Sequence, residues 1–590
     1  MGKELFTNIP SKVKNLIDDV RIGKIGLPDL QRPFVWKDNK VRDLFDSMLR
    51  GYPIGYVMLW ESPFDYEEKK SSIGINGKIY KEPKELVIDG QQRLTALVAA
   101  MYGVHVIDKS YEEREIKISY NPLTREFAVW TTAIDRDQEW IGKISDVFQA
   151  KENNTFTKFR RTYINGLNDS RTKKGEEELT DEEIDLIEDN LNHLLALEDF
   201  SLPTLEISAN ADEQDVADIF VRVNSGGQNL NENNFIQTLI AVYEKDVHDK
   251  ITNFCKESRI PKDGTSYNHI MEIDPQHLVR MAVGVGFHRA RLRYAYMLLR
   301  GKNLETGKYS DETRTQNLTI FKDALEEVMN LNNWHAFLNC VSGAGYVSNK
   351  IIASSNAVVY SYVLYLIGKK EYKVPTVQLN KIISKWFFMA AITYFYTGST
   401  ESEVERQFAD LRNVHMATEF IDYLEKTIAG RFTEDYFKVT LPDELNTSSA
   451  ISPAWFGYTA AQIVLNNPML FSTSVLATHL LPGASGTKNS IDKHHIFPKN
   501  YLSQIGFTND RDRNQAANFT YLDYVTNIDI LDNAPEEYIE KYKETYGDEF
   551  KKHCENHALP DGFEKMEYLE FLEKRRYLMA QIIKKAYERL

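Results

Sequence analysis

Cysteine is scarce in this chain: three residues, Cys255, Cys340 and Cys554, are spread over 590 positions. This spacing excludes a disulfide framework and the paired Cys-x-x-Cys knuckles of a structural zinc site. Long apolar runs are missing too, since no stretch approaches the roughly 18 uninterrupted apolar residues of a membrane span. The first residues lack the apolar segment of a signal peptide. Together these absences predict a soluble protein of the reducing cytoplasm, without a membrane partner.

An excess of positive charge is also absent, because 86 acidic residues outnumber 71 basic ones and the formal net charge is −15. A protein that binds nucleic acid would therefore need local basic patches. Two stretches offer them: residues 280–300, where arginines interleave with tyrosines, and residues 574–589. Both patterns also fit solvated helix faces, and for the second stretch that is the commoner interpretation. No Gly-x-x-x-x-Gly-Lys-Ser/Thr motif occurs, so nucleotide binding would require an architecture other than a P-loop.

What the chain does contain is a dense polar motif near its C-terminal end. The run Asp492-Lys493-His494-His495-Ile496-Phe497-Pro498-Lys499 is followed by Asn518 and, nine residues later, by Asn527. A neutral imidazole at His495 is suited to take a proton from water. His494, on the other face of a short strand, and Asn527, on a following helix, are candidate ligands of Mg²⁺ or another divalent metal that keeps several waters. Asn518 is the amide predicted to tie the connecting loop to the strand and hold the base.

This order of residues resembles the His-x-x-Pro subgroup of the HNH nucleases. The resemblance implies a ββα-metal fold and metal-dependent hydrolysis of DNA, with His495 and Asn518 as catalytic residues and His494 and Asn527 at the metal. Better-known HNH members carry zinc-binding Cys-x-x-Cys knuckles that this sequence lacks, so packing must hold the fold instead. The alternative is a chance His-His pair in a loop.

A second motif lies near the other end. Leu86-Val87-Ile88 has the pattern of a buried strand that runs into Asp89-Gly90-Gln91-Gln92-Arg93 and a helix from Leu94 to Met101. Gly90 permits a tight turn, Asp89 is suited to hold a cation or a hydroxyl, and Arg93 at a helix start is suited to phosphate oxygens. The alternative is a capped helix start with a structural ion pair. Residues 27–36 and 219–227 also combine arginine with small polar residues, and we expect both segments to converge on the Asp89–Arg93 motif.

Together these segments resemble the N-terminal domain of the GmrSD-type restriction enzymes, a ParB/sulfiredoxin-like fold marked by the Asp-Gly-Gln-Gln-Arg box, with the phosphorothioate-sensing SspE-like proteins as relatives. The resemblance implies a domain that binds or hydrolyses a nucleoside triphosphate (GTP, UTP, CTP or ATP) and senses modified DNA. Carried over by motif, the candidate nucleotide-binding residues are Asp89, Gly90, Gln91, Gln92, Arg93, Gln31, Arg32, Arg222 and Asn224.

The two motifs and a hydrophobic content of 42% predict a multidomain α+β protein. We expect a ParB-like nucleotide-binding and DNA-sensing α/β domain at residues 1–245, a helical linker domain at 246–445 and an HNH nuclease domain at 446–590. The expected function is a type IV restriction-like DNA endonuclease of phage defence. A homodimer is left open, since a double-strand break needs two nuclease sites. The alternative is a nucleotide-independent DNA-binding or regulatory protein with a vestigial nuclease site.

Overall fold

The computed structural model describes residues 5–26, 34–61, 84–108, 112–209, 211, 215–216, 219, 223, 240, 245–260, 268–299, 301–304, 306–308, 310–449, 451–481 and 491–590. The chain divides into two compact units, Met1–Thr252 and Asn253–Leu590. Helices and small sheets occur in both, which confirms the prediction of a multidomain α+β protein. No helix within these ranges is long and apolar enough to cross a membrane.

The first unit is built on a mixed five-stranded sheet. The strands of this unit are β1 (Phe6–Lys12), β2 (Ile25–Gly26), β3 (Val57–Glu61), β4 (Glu85–Asp89), β5 (Val106–Ile107), β6 (Glu113–Arg114), β7 (Ile118–Asn121), β8 (Glu126–Val129) and β9 (Ser201–Ile207). The main sheet has the order β1-β9-β3-β4-β2, and β5 pairs with β6 and β7 with β8 in separate hairpins. In the main sheet, β1 is antiparallel to β9 and β3 to β4, whereas β3 is parallel to β9 and β2 to β4.

Helices accompany these strands along the chain. They are α1 (Val13–Arg21), α2 (Asp38–Leu49), α3 (Gln91–Tyr102), α4 (Thr132–Arg136), α5 (Ile144–Glu152), α6 (Phe156–Lys174) and α7 (Asp181–Leu195). Helix α2 buries an apolar stripe at helical spacing, from Val41 through Leu44 and Phe45 to Met48. Helix α3 is apolar nearly all round and is buried from Leu94 to Tyr102, so it forms the centre of the core.

The turn between β4 and α3 requires a glycine. Gly90 has φ +89°, and a Cβ placed there would lie 3.1 Å from the carbonyl oxygen of Tyr56 on the approach to β3. Strands β3 and β4 are buried on both faces, as expected for neighbouring central strands. The Asp-Gly-Gln-Gln-Arg box therefore lies at the end of a central strand and at the start of the core helix, in the strand–turn–helix order that the sequence predicts.

The second unit is mainly helical. The helices from Lys245 onward are α8 (Lys245–Arg259), α9 (Pro275–Phe287), α10 (Leu292–Leu299), α11 (Asp311–Met329), α12 (Leu331–Gly343), α13 (Ser355–Lys370), α14 (Thr376–Ile392), α15 (Thr400–Leu411), α16 (Ala417–Arg431), α17 (Leu441–Glu444), α18 (Pro453–Val464), α19 (Leu476–Leu480), α20 (Lys499–Gln504), α21 (Asp510–Arg513), α22 (Tyr524–Ile530), α23 (Pro535–Tyr546), α24 (Phe550–Asn556) and α25 (Tyr568–Arg589). Helix α18 packs against both α14 and α25. The predicted boundary near residue 445 thus falls inside one compact unit and stays a prediction.

A small hairpin completes the second unit. Strand β10 (Ile491–His495) pairs antiparallel with β11 (Phe519–Asp523), so that His494 faces Thr520 and His495 faces Phe519 across the ladder. Helix α22 begins directly after β11 and packs against both strands. The local order is therefore a strand, a long connection that contains α20 and α21, a second strand and a helix.

Candidate functional site

The hairpin and α22 carry all four residues of the predicted nuclease site. His494 and His495 end β10, Asn518 directly precedes β11, and Asn527 lies on α22. Adjacent residues of a strand point to opposite faces, so the two imidazoles leave β10 on different sides. His494, His495 and Asn527 are all half-buried, which leaves each of them partly accessible.

Asn514 and Phe519 both contact the imidazole of His495. Its Nε2 lies 3.0 Å from Oδ1 of Asn514, in the loop between the strands. The ring of Phe519, its partner across the ladder, meets it edge to face with centroids 5.0 Å apart. These contacts hold the ring in one orientation. Asn514 was not among the predicted residues, since nothing in its sequence position shows that the loop returns to β10.

Asn518 is completely buried and joins two parts of the backbone. Its Oδ1 accepts a hydrogen bond from the Phe497 amide at 2.8 Å, and its Nδ2 donates to the carbonyl oxygens of Phe497 at 3.0 Å and Arg513 at 3.2 Å. The backbone carbonyl of Asn518 also accepts from the amide of Ile496 at 2.9 Å. The residue thus connects the loop to the chain just after His495, and a reacting phosphate has no direct access to it.

Helix α22 starts at an N-cap. The carboxylate of Asp523 accepts a hydrogen bond from the Thr526 amide at 2.8 Å. Burial raises the pKa of Asp523, but hydrogen bonds from Ser472 and Thr526 outweigh it and lower the pKa overall. The ionised cap fixes the start of the helix on which Asn527 lies.

The donor set for a metal is small. Within the described part of the chain, no three His, Cys, Asp or Glu side chains are grouped so that they could hold an ion. His494 and Asn527 would contribute one imidazole nitrogen and one amide oxygen. Such a pair fits a divalent cation that keeps most of its water ligands, as Mg²⁺ does, and the imidazole also suits transition metals.

A buried arginine donates hydrogen bonds to the backbone on both sides of Asn518. Arg575 of α25 is fully buried, and its Nη1 donates to the carbonyl oxygens of Ala517 at 2.6 Å and Phe519 at 2.9 Å. Its Nη2 and Nε also reach the carbonyl of His557, at 3.3 and 3.4 Å. Since Ala517 and Phe519 flank Asn518, the guanidinium fixes the backbone of the predicted site.

His557 next to this arginine makes the second unit sensitive to acid. It donates from Nε2 to the carbonyl of Pro468 at 2.9 Å, and burial lowers its pKa to about 3. An unfolded histidine has a pKa of about 6.5, so between these values only the unfolded state takes up the proton. We expect this residue to remove about 1.4 kcal/mol of stability for each pH unit below about 6.5, down to about 3.

Urea unfolding of the full chain between pH 7 and pH 4 measures this effect. In the His557→Gln variant, the free energy of unfolding should fall less steeply as the pH is lowered. The difference in slope from the wild type should correspond to the uptake of one proton. Equal slopes for His557→Gln and wild type would contradict the assignment.

In the first unit, the box residues form contacts with the surrounding backbone. Nε2 of Gln91 donates to the carbonyl of Val87 at 2.7 Å, and Oε1 of Gln92 accepts from the Val35 amide at 3.1 Å. Arg93 donates from Nη1 to the carbonyl of Tyr56. Burial lowers the pKa of Arg93, and the nearby carboxylate of Asp89 partly offsets that effect.

The end of the Leu27–Trp36 segment is therefore brought to the box, as the sequence predicts, through the bond between Val35 and Gln92. Four predicted nucleotide-binding residues lie outside the described residues: Gln31, Arg32, Arg222 and Asn224. Their convergence on Asp89 and Arg93 stays a prediction.

Gly55 permits the close approach of Arg93. A Cβ at this position, where φ is +93°, would lie 3.0 Å from the guanidinium carbon. On the expectation that the Asp89–Arg93 motif binds a nucleotide, Gly55→Ala should displace Arg93 and weaken that binding about tenfold or more, because even one charged hydrogen bond is worth roughly 1.5–3 kcal/mol. Titration with a fluorescent nucleoside triphosphate measures the affinity.

Gly51 provides the matched control. It also has a positive φ, +70°, but no atom lies within 4 Å of the position of its Cβ. Gly51→Ala should therefore cost only the backbone strain of about 1–3 kcal/mol, without a loss of affinity. If both variants bind nucleotide equally, the contact with Arg93 has no part in binding.

The basic stretches are largely engaged within the chain. Arg280 pairs with Glu401 at 2.7 Å, Arg289 with Glu405 at 3.5 Å, and Arg291 donates to Ser402. The side chain of Arg293 and all of Arg300 lie outside the described residues. The C-terminal stretch buries Arg575. These arginines therefore have partners on neighbouring helices, and their positions do not require a bound nucleic acid to explain them.

The comparisons with known proteins agree with the predicted N-terminal relationship. Residues 13–241 match the family model of the GmrSD restriction endonuclease N-terminal domain, a range that includes the whole box. An uncharacterized protein of Methanocaldococcus jannaschii is 22% identical over 559 residues, which cover 90% of this chain and 86% of that protein. The similarity to this relative therefore extends over both motifs.

Proposed function

We propose that this protein is a metal-dependent DNA endonuclease of phage defence, with a nuclease site of the HNH type on the hairpin and α22. The observation that supports this most directly is the ordered imidazole of His495 at the end of β10, fixed by Asn514 and Phe519. The N-terminal match to a restriction endonuclease domain supports the biological role.

In the proposed reaction, His495 acts as the general base. The neutral imidazole takes a proton from a water molecule, whose oxygen attacks the phosphorus of the scissile phosphodiester. The bond to the 3′ oxygen breaks, and that oxygen takes a proton from solvent. A divalent ion held by His494 and Asn527 would supply stabilisation of the negative charge on the phosphate and the leaving oxygen. Asn518 holds the loop in place and does not contact the reacting atoms.

The first unit is proposed to regulate cutting. Asp89, Gly90, Gln91, Gln92 and Arg93 would bind a nucleoside triphosphate together with Gln31, Arg32, Arg222 and Asn224. Supporting this, the box lies at a strand end next to the N-terminus of α3, where backbone amides attract phosphate oxygens. Nucleotide turnover would be coupled to recognition of a mark on DNA, in the cytoplasm, and a homodimer would serve double-strand cleavage.

A second candidate is a nucleotide-independent DNA-binding or regulatory protein. One observation favours it: the side chains of Gln91, Gln92 and Arg93 already bond to backbone atoms of their own domain. The box would then stabilise the fold of a binding module, and the nuclease site would be vestigial.

Plasmid cleavage tests the proposal. Unmodified, glucosylated hydroxymethylated and phosphorothioated DNA are incubated with the full chain and Mg²⁺ or Mn²⁺, with and without each triphosphate, and EDTA serves as the control. Cutting that needs metal and prefers one kind of DNA supports the endonuclease. Intact DNA under all conditions, with DNA binding retained, would favour the regulatory candidate.

A further inference from the structure

The second unit contains a cavity of about 260 Å³. Its described lining residues all lie between Phe254 and Ser342, outside both motifs and within one compact unit. They come from helix α8, from the segment 268–273, from the end of α11 and from α12. Ligand cavities in proteins usually measure about 300–1,000 Å³, so this one suits a small ligand.

Apolar side chains form much of the wall. They are Phe254, Ile273, Met329, Leu331, Trp334 and Leu338. Trp334 is buried, and its Nε1 donates to the carbonyl of Val328 at 2.7 Å. Its ring also stacks on that of Tyr362, with centroids 4.1 Å apart. The indole is therefore fixed in place and offers a rigid apolar surface to an occupant of the cavity.

One buried polar group at the cavity has no partner. Oδ1 of Asn268 accepts from the amides of Ile270 at 3.0 Å and Met271 at 3.1 Å, which settles the orientation of the side-chain amide. Asn268 is only 8% exposed, and within the described part of the chain nothing accepts a hydrogen bond from its Nδ2. Buried donors without an acceptor are rare because they cost free energy, and an acceptor bound in the cavity would remove this cost.

The segment that carries Asn268 is anchored to the rest of the unit. The backbone amide of Asn268 donates to the carbonyl of Ser258, on α8, at 3.2 Å. The next carbonyl, of His269, accepts from the amide of Asn349 at 3.1 Å. The donor is thus held in position before a ligand arrives, and such preorganisation favours binding.

The charges at the cavity restrict the ligand further. Glu257 carries a formal negative charge, and the described lining residues include no lysine or arginine. A phosphate would be repelled by Glu257 and would find no arginine or lysine beside it. A carboxylate only accepts hydrogen bonds, so it suits an N–H group on the ligand. The ligand that fits is small and uncharged, with an acceptor for Asn268 and a donor for Glu257.

We propose that this cavity binds an uncharged heteroaromatic ring that carries a hydrogen-bond acceptor, the chemistry of a nucleobase, alone or in a nucleoside. The acceptor receives the hydrogen bond from Nδ2 of Asn268, the ring packs against Trp334, and an N–H of the ligand donates to Glu257. None of these residues belongs to the proposed nuclease or triphosphate site, so the proposal does not depend on either.

Benzimidazole and indole are the matched probes. They share the shape of two fused rings with one N–H, are uncharged at neutral pH, and differ in a ring nitrogen that accepts a hydrogen bond only in benzimidazole. Isothermal titration calorimetry of the full chain measures both affinities. Benzimidazole should bind about tenfold more tightly than indole, because it satisfies the buried donor.

An exchange of one atom tests the donor. Asn268→Asp keeps an oxygen for the two backbone amides but removes the N–H groups, so the preference for benzimidazole over indole should disappear. Asn330→Asp is the matched control. The Oδ1 of Asn330 also accepts from two backbone amides, those of Asn332 and Asn333, and the residue is not among the described lining residues. This variant gains the same charge and should keep the wild-type preference.

A larger side chain tests the location without a change at Asn268. Asn339 is exposed and lines the cavity, so Asn339→Trp should weaken benzimidazole binding about tenfold or more by occupying the space. Asn332→Trp, an exposed position of the same helix outside the described lining, should bind like the wild type. Adenine and adenosine then distinguish the base from the nucleoside, and the tighter of the two identifies the source of the ring.

Equal affinities of the two probes for the wild type, or a preference that survives Asn268→Asp, would overturn the proposal. Absence of binding by both probes at millimolar concentration, or unchanged binding in Asn339→Trp, would also overturn it. The wild type and Asn339→Trp decide even if Asn268→Asp does not fold. Because DNA cleavage is not a readout, failure of the endonuclease proposal would leave this result unaffected.

Discussion

The His495→Ala variant is expected to cleave DNA about 10²–10⁴-fold more slowly than the wild type, the usual contribution of a positioned general base. Without the imidazole, the attacking water must lose its proton to bulk solvent. Single-turnover cleavage of a plasmid at saturating protein measures the chemical step without interference from product release. DNA binding should stay close to that of the wild type, because the lost interaction acts on the water.

The control is a histidine without a proposed role. His193 lies on the exposed face of α7 in the first unit, and His193→Ala should cleave at the wild-type rate. Similar rates for His495→Ala and the wild type would show that another group takes the proton. The hairpin would then be a structural element, and the regulatory candidate would gain support.

Patterns within short segments of the sequence predicted the elements that carry both motifs. A buried apolar triplet followed by Asp-Gly predicts a strand and a tight turn, and the structure has β4, Gly90 and α3 there. His494 and His495 end a strand, and Asn527 lies on the helix after the next strand, in the expected order. These features depend on neighbours in the chain, whose spacing the sequence displays directly.

Contacts between distant residues could not be read in the same way. Arg280 and Arg289 looked like a nucleic-acid patch because their partners, Glu401 and Glu405, lie more than one hundred residues further on. Asn514 reaches His495 only because the loop folds back across the hairpin. Arg575 looked like part of a basic helix face, yet it is fully buried, since helix periodicity does not show which face meets the loop at Asn518.

The Arg575→Met variant is expected to destabilise the second unit by about 3 kcal/mol. Methionine fills most of the volume but leaves the carbonyls of Ala517, Phe519 and His557 without their donor, and each such buried acceptor costs about 1–3 kcal/mol. Relief from burying a charge, the cause that lowers the pKa of Arg575, offsets part of this sum. Urea unfolding measures the total, and amide hydrogen exchange at Asn518 and Phe519 shows where protection is lost.

The preceding residue on the same helix is the matched control. Lys574 is exposed and pairs with Glu570 one turn away, so Lys574→Met should cost less than about 1 kcal/mol. Equal stability of the two variants would mean that other contacts hold the loop. Arg575→Lys separates charge from geometry, because lysine keeps the charge but its single ammonium does not reproduce the planar fork that spans three carbonyls. If the geometry of the guanidinium is what stabilises the loop, Arg575→Lys should resemble Arg575→Met in stability and in amide exchange at Asn518. Cleavage should also be slower in both variants, because the loop positions Asn514 against His495.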